Sequence, residues 1–139
     1  MLTRVLIALV LICGTAPAAW GEETKVLALG LTDHAPAESE LEKGEALPAP
    51  HFNTPAVAYV LVSDLKKGDV VEVALVHEGK SLMHNTETLT EDRPSLMLLA
   101  GKQGVPAGGW PEGNYQAGVK IMRDGKPLIE DESKPIPFD

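Results

Sequence analysis

The chain has 139 residues, among them 20 acidic and 12 basic side chains, and its formal net charge is -8. A surface of this sign repels nucleic acid and anionic lipid, so neither is an expected partner. The single cysteine leaves no pair for a disulfide bond within the chain, so a hydrophobic core must stabilise the fold by itself.

The first 21 residues are typical of a secretory signal peptide. Arg4 precedes an apolar run from Val5 to Cys13, and small residues follow before the first acidic ones. Cleavage after Ala18 and cleavage after Gly21 both fit this pattern, and both stay open. The apolar run is shorter than the roughly 20 residues that a spanning helix needs, so an uncleaved membrane anchor is the weaker interpretation. After removal of the signal we expect no stable membrane insertion.

Cys13 belongs to this signal. A lipid-modified bacterial cysteine would follow a small residue, whereas Val10, Leu11 and Ile12 precede this one. Its removal leaves an exported chain without cysteine, which favours the bacterial periplasm or secretion from a bacterium over a eukaryotic exterior. Residues 22–139 are long enough for one domain.

The rest of the chain predicts short strands in succession. Residues 34–50, rich in Ala, Glu and Pro, predict an exposed connection, mobile or lightly docked, with a brief helical turn around 38–43. The apolar run 55–64 predicts a strand buried on both faces. Asp124-Gly125 predicts a two-residue hairpin turn. The predicted strands are 25–33, 55–64, 70–80, 81–90, 95–100, 114–123 and 126–133.

This pattern predicts an all-β fold, a single antiparallel immunoglobulin-like sandwich of about seven strands. No long amphipathic helices alternate with the strands, which argues against a parallel α/β sheet. We place the polar strand 81–90 near a sheet edge. The row formed by Tyr115, Ala117, Val119 and Ile121 is expected to face the core.

The chain also resembles a group of small exported bacterial domains with immunoglobulin-like folds and no established biochemical activity. Three segments show the resemblance: GLTDHAP, YVLVSDLKKGDVVEVALVHEGK and GGWPEGNYQAGVKIMRDGKPL. It implies that a tryptophan loop, a Gly-x-Tyr step and an Asp-Gly-Lys hairpin close the sandwich, and it implies no activity. The chain lacks the paired cysteines and the intervening tryptophan of immunoglobulins proper.

Two histidines suggest a metal site. His77 and His84 flank the Gly79 turn, so they are expected near one another across a hairpin, and Met83 adds a thioether. Imidazole suits copper and zinc, and thioether favours Cu(I). Against this, Met83 and His84 are adjacent and point to opposite faces of a regular strand. Copper or zinc binding at this hairpin is therefore the alternative function.

No catalytic residue and no cofactor are predicted. The sequence lacks a nucleophile elbow, a P-loop, a dinucleotide fingerprint and a calcium loop, and its acidic runs are typical of solvated surfaces. We therefore expect a protein that is not an enzyme.

Trp110 is the candidate partner-binding residue. It lies in a glycine-rich loop, where an exposed tryptophan is typical of a binding hot spot, although a tryptophan at the end of a sandwich also plugs the core. The leading hypothesis is a protein that binds or supports another periplasmic or envelope component. Contact is expected through residues 102–113 or through strand addition at the SLMHNTETL edge.

Overall fold

The computed structural model describes residues 23–102 and 104–139. The predicted signal peptide, residues 1–21 with its cleavage sites and Cys13, lies outside these residues, as does Gln103.

The described residues form eight strands and one five-residue helix. Their bounds are β1 (Lys25–Thr32), α1 (Glu38–Glu42), β2 (Ala56–Leu65), β3 (Val70–His77), β4 (Lys80–Thr88), β5 (Arg93–Lys102), β6 (Asn114–Arg123), β7 (Lys126–Glu132) and β8 (Ile136–Pro137).

The strands form two antiparallel sheets that pack face to face. The smaller sheet has the order β1-β2-β5, and the larger has the order β4-β3-β6-β7, with β8 paired to β6. Every pairing between the described strands is antiparallel. The predicted all-β antiparallel fold is confirmed, and the polar strand β4 lies at a sheet edge as expected.

The main core lies between the sheets, where alternate side chains of each strand meet. From β3 it receives Val71, Val73 and Leu75, all fully buried. From β6 it receives the predicted row of buried side chains, namely Tyr115, Ala117, Val119 and Ile121. Alternation along a pleated strand produces these rows, because successive side chains point to opposite faces.

A second apolar layer covers the outer face of the smaller sheet. In β2, Val60 belongs to the main core, whereas the neighbouring Leu61 is buried outside it. Helix α1 contacts β1 and β2 and buries Leu41. β2 is therefore buried on both faces, as its continuous apolar run predicts.

The connection 34–50 is docked on this layer. The Thr32 hydroxyl donates to the Pro48 carbonyl at 2.9 Å, and the Ser95 hydroxyl donates to a Glu38 carboxylate oxygen at 2.9 Å. Pro36 and Pro50 are buried, and many other side chains of the connection are exposed. These contacts explain how an acidic segment with no hydrophobic period lies against an apolar sheet.

The hairpin between β6 and β7 has the predicted turn. Asp124 and Gly125 have φ of 55° and 76°, the left-handed conformation that a two-residue turn of this kind requires.

Candidate functional site

Trp110 points into the end of the sandwich. Its side chain is 6% exposed, and its indole Nε1 donates to the Thr54 carbonyl at 2.8 Å. The ring meets the edges of Tyr115 and Phe138 at centroid distances of 6.3 and 6.0 Å. Of the two placements that the sequence left open, the inward one is observed. Partner binding at Trp110 stays a prediction, and the buried indole offers it little accessible surface.

Tyr115 and Phe138 complete this aromatic plug. Their rings stack at 3.8 Å with 4° between the planes, and the Tyr115 hydroxyl donates to the Pro111 carbonyl at 2.5 Å. Burial raises the pKa of Tyr115. Sequence reasoning missed Phe138, because the two-residue strand β8 that positions it has no readable period. The only signal was a lone aromatic after a short Pro-containing segment.

The loop before β6 is fastened to residues 51–54. The Trp110 amide donates to the Phe52 carbonyl at 2.8 Å. Gly109 lies so close to the same residue that a Cβ there would be 2.7 Å from the Phe52 ring. Among the described loop residues, Val105 is the large exposed apolar side chain. The loop is thus arranged mainly to hold Trp110 inward.

The structure does not bring His77, His84 and Met83 together. His77 pairs with Lys80, and its ring lies 4.5 Å from the Tyr115 ring, with Nε2 2.7 Å from the Glu112 carbonyl oxygen. A bulge in this hairpin shifts the register between Leu75 and Val76.

His84 pairs with Ala74 and is exposed on the outer face, whereas Met83 pairs with Leu75 and packs against the core. Among residues 23–102 and 104–139, no three His, Cys, Asp or Glu side chains converge on a possible metal position. Copper or zinc binding stays a prediction that no contact of this hairpin favours.

A small titratable cluster caps helix α1. The His34 Nδ1 lies 2.9 Å from an Asp33 carboxylate oxygen, and this hydrogen bond raises the pKa of His34. The Glu40 carboxylate accepts a hydrogen bond from the Ala37 amide at 2.9 Å and lies 3.6 Å from the His34 Nε2. The cluster fixes the start of the helix.

An open groove of about 760 Å³ lies on the outer face of the larger sheet. Ala74 and Gly118 line it between charged side chains. Lys120 lies 3.8 Å from Glu130, and the Gln116 amide donates to the Ser133 carbonyl at 2.9 Å. Among the described residues, no aromatic or histidine side chain lines the groove.

The sheet edges differ in how they are protected. β7 contains Pro127 and ends in three acidic residues, and β5 contains Pro94. The Asn85 amide of β4 donates to the Leu99 carbonyl of β5 at 2.9 Å, which ties these two edges together. Prolines, charges and covering contacts of this kind block the pairing of an edge with further strands.

β1 has one feature that opposes further pairing, the bulge at Leu27, but it lacks the prolines and interior charges of the other edges. Its sequence KVLALGLT has one charge, at its first residue, and no proline. Within the described residues it pairs with β2 alone. Leu27 lies at a bulge and is 56% exposed. β1 is therefore the least protected edge in the part of the chain that the structure describes.

The two sheets are unequal in width, and the difference falls beside β1. β1 packs over β6, whereas β7 lies one strand further out in the larger sheet. Ile129 of β7 is partly buried against the core, and Asp131 of the same face is exposed. The inner face of β7 is consequently not covered by any described strand of the smaller sheet.

Comparison with known protein families and with curated proteins finds no match. Within the described residues, no helix has the length and apolarity needed to cross a membrane.

Proposed function

We propose that this protein is a non-enzymatic binding module of the bacterial periplasm or exterior. In this proposal it binds an extended segment of another protein or envelope component by strand addition at the edge of β1. The observation that carries the proposal is the apolar edge of β1, which has no proline and no interior charge, beside the uncovered inner face of β7.

The chemistry of strand addition fits this edge. An outer strand has a row of backbone N–H and C=O groups that an extended peptide can pair with, and alternate side-chain contacts then provide specificity. Such an edge is an aggregation hazard unless it is protected. The other sheet edges of this protein contain prolines or charges, whereas the interior of β1 contains neither. This difference supports a role in which β1 stays open to pair with another strand.

β1 suits this role better than the polar edge that the sequence suggested. The SLMHNTETL edge corresponds to β4, which Asn85 links to β5. Its side chains are mostly polar and exposed, so an added strand would bury little apolar area there. The loop 102–113 is a weaker candidate, because Trp110 is turned inward.

The exported location rests on the predicted signal peptide, and the immunoglobulin-like relationship rests on the resemblance of the three sequence segments. The antiparallel sandwich is compatible with that relationship.

Site-specific crosslinking tests the proposal. The chain has no cysteine after Cys13, so Leu27→Cys and Leu82→Cys each give a single attachment point for a photoreactive group after export. These leucines are 56% and 43% exposed on β1 and β4, so position 82 is a control on an edge where no partner strand is proposed. We expect a discrete adduct from position 27 in the periplasm and none of equal yield from position 82. Equal labelling from both positions, or none from position 27, contradicts the proposal.

Titration tests the alternative function. Copper and zinc are added separately to the wild-type protein and to a His77→Ala, His84→Ala double variant. Because the two imidazoles are on different faces, we expect the same affinity in both proteins. A tenfold or greater loss in the variant, on the order of 1.4 kcal/mol, would restore metal binding as a function.

A further inference from the structure

We infer that the occupant of the β1 edge is one extended strand of a different polypeptide, apolar on the face toward the core and bearing a lysine or arginine that meets Asp131. This inference rests on the proposed function and names the chemistry of the partner.

The position of the added strand follows from the layers. β1 is the last strand of the smaller sheet and packs over β6. A strand that paired with the free side of β1 would lie about 4.8 Å further out, which is the position facing β7. It would extend the smaller sheet to the width of the larger one.

The inner side chains of the added strand would meet an apolar surface. Because the bulge at Leu27 inserts one residue, Val26 and Leu29 share the inward face of β1, and both pack against the core. Across the gap, Ile129 is the partly buried apolar side chain of β7. Apolar residues at alternate positions of the incoming strand would pack against these three side chains.

An acidic side chain of β7 favours a basic residue at one position of the added strand. Asp131 pairs with Val119 and Ile129 pairs with Ile121, and Val119 and Ile121 both face the core, so Asp131 points to the inner face. It is exposed there, and among the described residues its carboxylate accepts one local hydrogen bond, from the Glu132 amide. A basic side chain of the added strand would complement it.

The position of Asp131 along β1 follows from one hydrogen bond. Arg123 at the end of β6 donates to the Thr24 hydroxyl, which immediately precedes β1. The start of β1 thus lies beside the end of β6. Asp131 pairs with Val119, four residues before Arg123, so it lies beside the middle of β1. The basic residue is therefore expected near the centre of the bound segment.

A second copy of the chain does not fit this position. If β1 paired antiparallel with β1 of another copy, as every described strand pair of this fold does, that copy would bring its own β6 beneath its β1, since these strands pack together. The first copy's β7 already lies there, one strand beyond β6. A lone strand has no second layer and avoids this collision.

Synthetic peptides test the inference on the exported protein. Three nine-residue peptides alternate valine and threonine and carry lysine, glutamate or proline at the central position; binding is followed by fluorescence anisotropy. We expect the lysine peptide to bind about fivefold more tightly than the glutamate peptide, as for one exposed charge contact. The proline peptide should not bind, because proline removes a ladder hydrogen bond.

Two neighbouring acids provide matched variants. Asp131→Asn should abolish the difference between the lysine and glutamate peptides. Glu132→Gln should preserve it, because Glu132 pairs with Gly118, which pairs with Ala74 on the outer face. Peptides that bind regardless of their central charge, or a preference that survives Asp131→Asn, overturn the inference and leave strand addition standing.

Other outcomes separate the inference from the function it rests on. If no peptide binds although position 27 crosslinks to a partner, the partner chemistry is wrong and the proposed function stands. If neither occurs, both fail. A dimer in light scattering that Leu27→Lys dissociates would identify a second copy as the occupant and overturn the inference.

Discussion

Replacing Arg123 with methionine should expose how strongly the fold depends on one buried ion pair. Asp69 is 1% exposed at the turn between β2 and β3. Its carboxylate accepts hydrogen bonds from the Arg123 Nε at 2.9 Å, from an Arg123 terminal nitrogen at 2.8 Å and from the Lys66 amide at 2.8 Å. Arg123→Met removes two of these three bonds and leaves a buried charge without its counter-ion.

The expected cost is about 3 kcal/mol of unfolding free energy at pH 7. Breaking a buried pair by removing one partner typically costs about 3–5 kcal/mol. We take the lower end because the Arg123 side chain is 29% exposed, so water can reach the Asp69 carboxylate after the guanidinium is gone.

This cost should decrease in acid. In the native protein the Arg123 guanidinium holds the pKa of Asp69 below its ordinary value. The stabilisation that this ion pair gives to the native protein is therefore complete above the pKa of about 4 that Asp69 has in the unfolded chain. It is lost as the pH falls through the lower pKa that Asp69 has in the folded protein. In the variant, burial raises the pKa of Asp69, so protonation relieves the penalty as the pH falls through that raised value. Both effects reduce the difference in unfolding free energy between the wild-type protein and the Arg123→Met variant as the pH falls.

Urea unfolding of both proteins at pH 7 and near pH 3.5 measures this difference. Lys120→Met is the matched control, because it breaks an exposed pair on the same strand, with Lys120 3.8 Å from Glu130. That pair should be worth at most about 1 kcal/mol. The reasoning is refuted if Arg123→Met costs no more than the control, or if its cost is the same at both pH values.

Four further substitutions give distinct expectations in the same unfolding assay. Gly30→Ala should destabilise the fold by about 1–3 kcal/mol, because a Cβ there would lie 2.6 Å from the Tyr59 hydroxyl; a neutral result would mean that this ring moves freely. Gly118→Ala should be neutral or stabilise by about 0.5–1 kcal/mol, since the added Cβ meets only an ordinary contact at 3.6 Å; a loss would reveal a hidden constraint. Gly125→Val should cost about 1 kcal/mol or more, because φ is 76° there, and no change would place the turn elsewhere. Phe138→Ala should cost about 3 kcal/mol or more through lost aromatic packing, whereas a cost below 1 kcal/mol would show that the plug is dispensable.

Local patterns determined much of the fold in advance. Strict alternation in 70–77 and 115–121 identified the rows that face the core, because side-chain direction along a strand has a period of two. The continuous apolar run in β2 indicated burial on both faces. Asp124-Gly125 fixed a hairpin turn, because few residue pairs adopt positive φ at low cost.

The candidate site was less accessible to such reasoning. A bulge in the β3–β4 hairpin shifts the register by one residue, so His77 and His84 lie in separate environments. The spacing of the two histidines in the sequence does not reveal this bulge. The inward orientation of Trp110 depends on Thr54 and Phe138, which are distant in sequence. The short strand β8 exists through pairing with β6 and has no local signal of its own.

The sequence by itself therefore determined that this protein is built from antiparallel strands around one core, and where most of them turn. Only the tertiary structure decided which strand is left open. β1 is as apolar as an interior strand, and its exposure at the edge follows from the order β1-β2-β5. The physical reason is that side-chain periodicity is a property of one strand, whereas the identity of its neighbours depends on how all the strands share the two sheets.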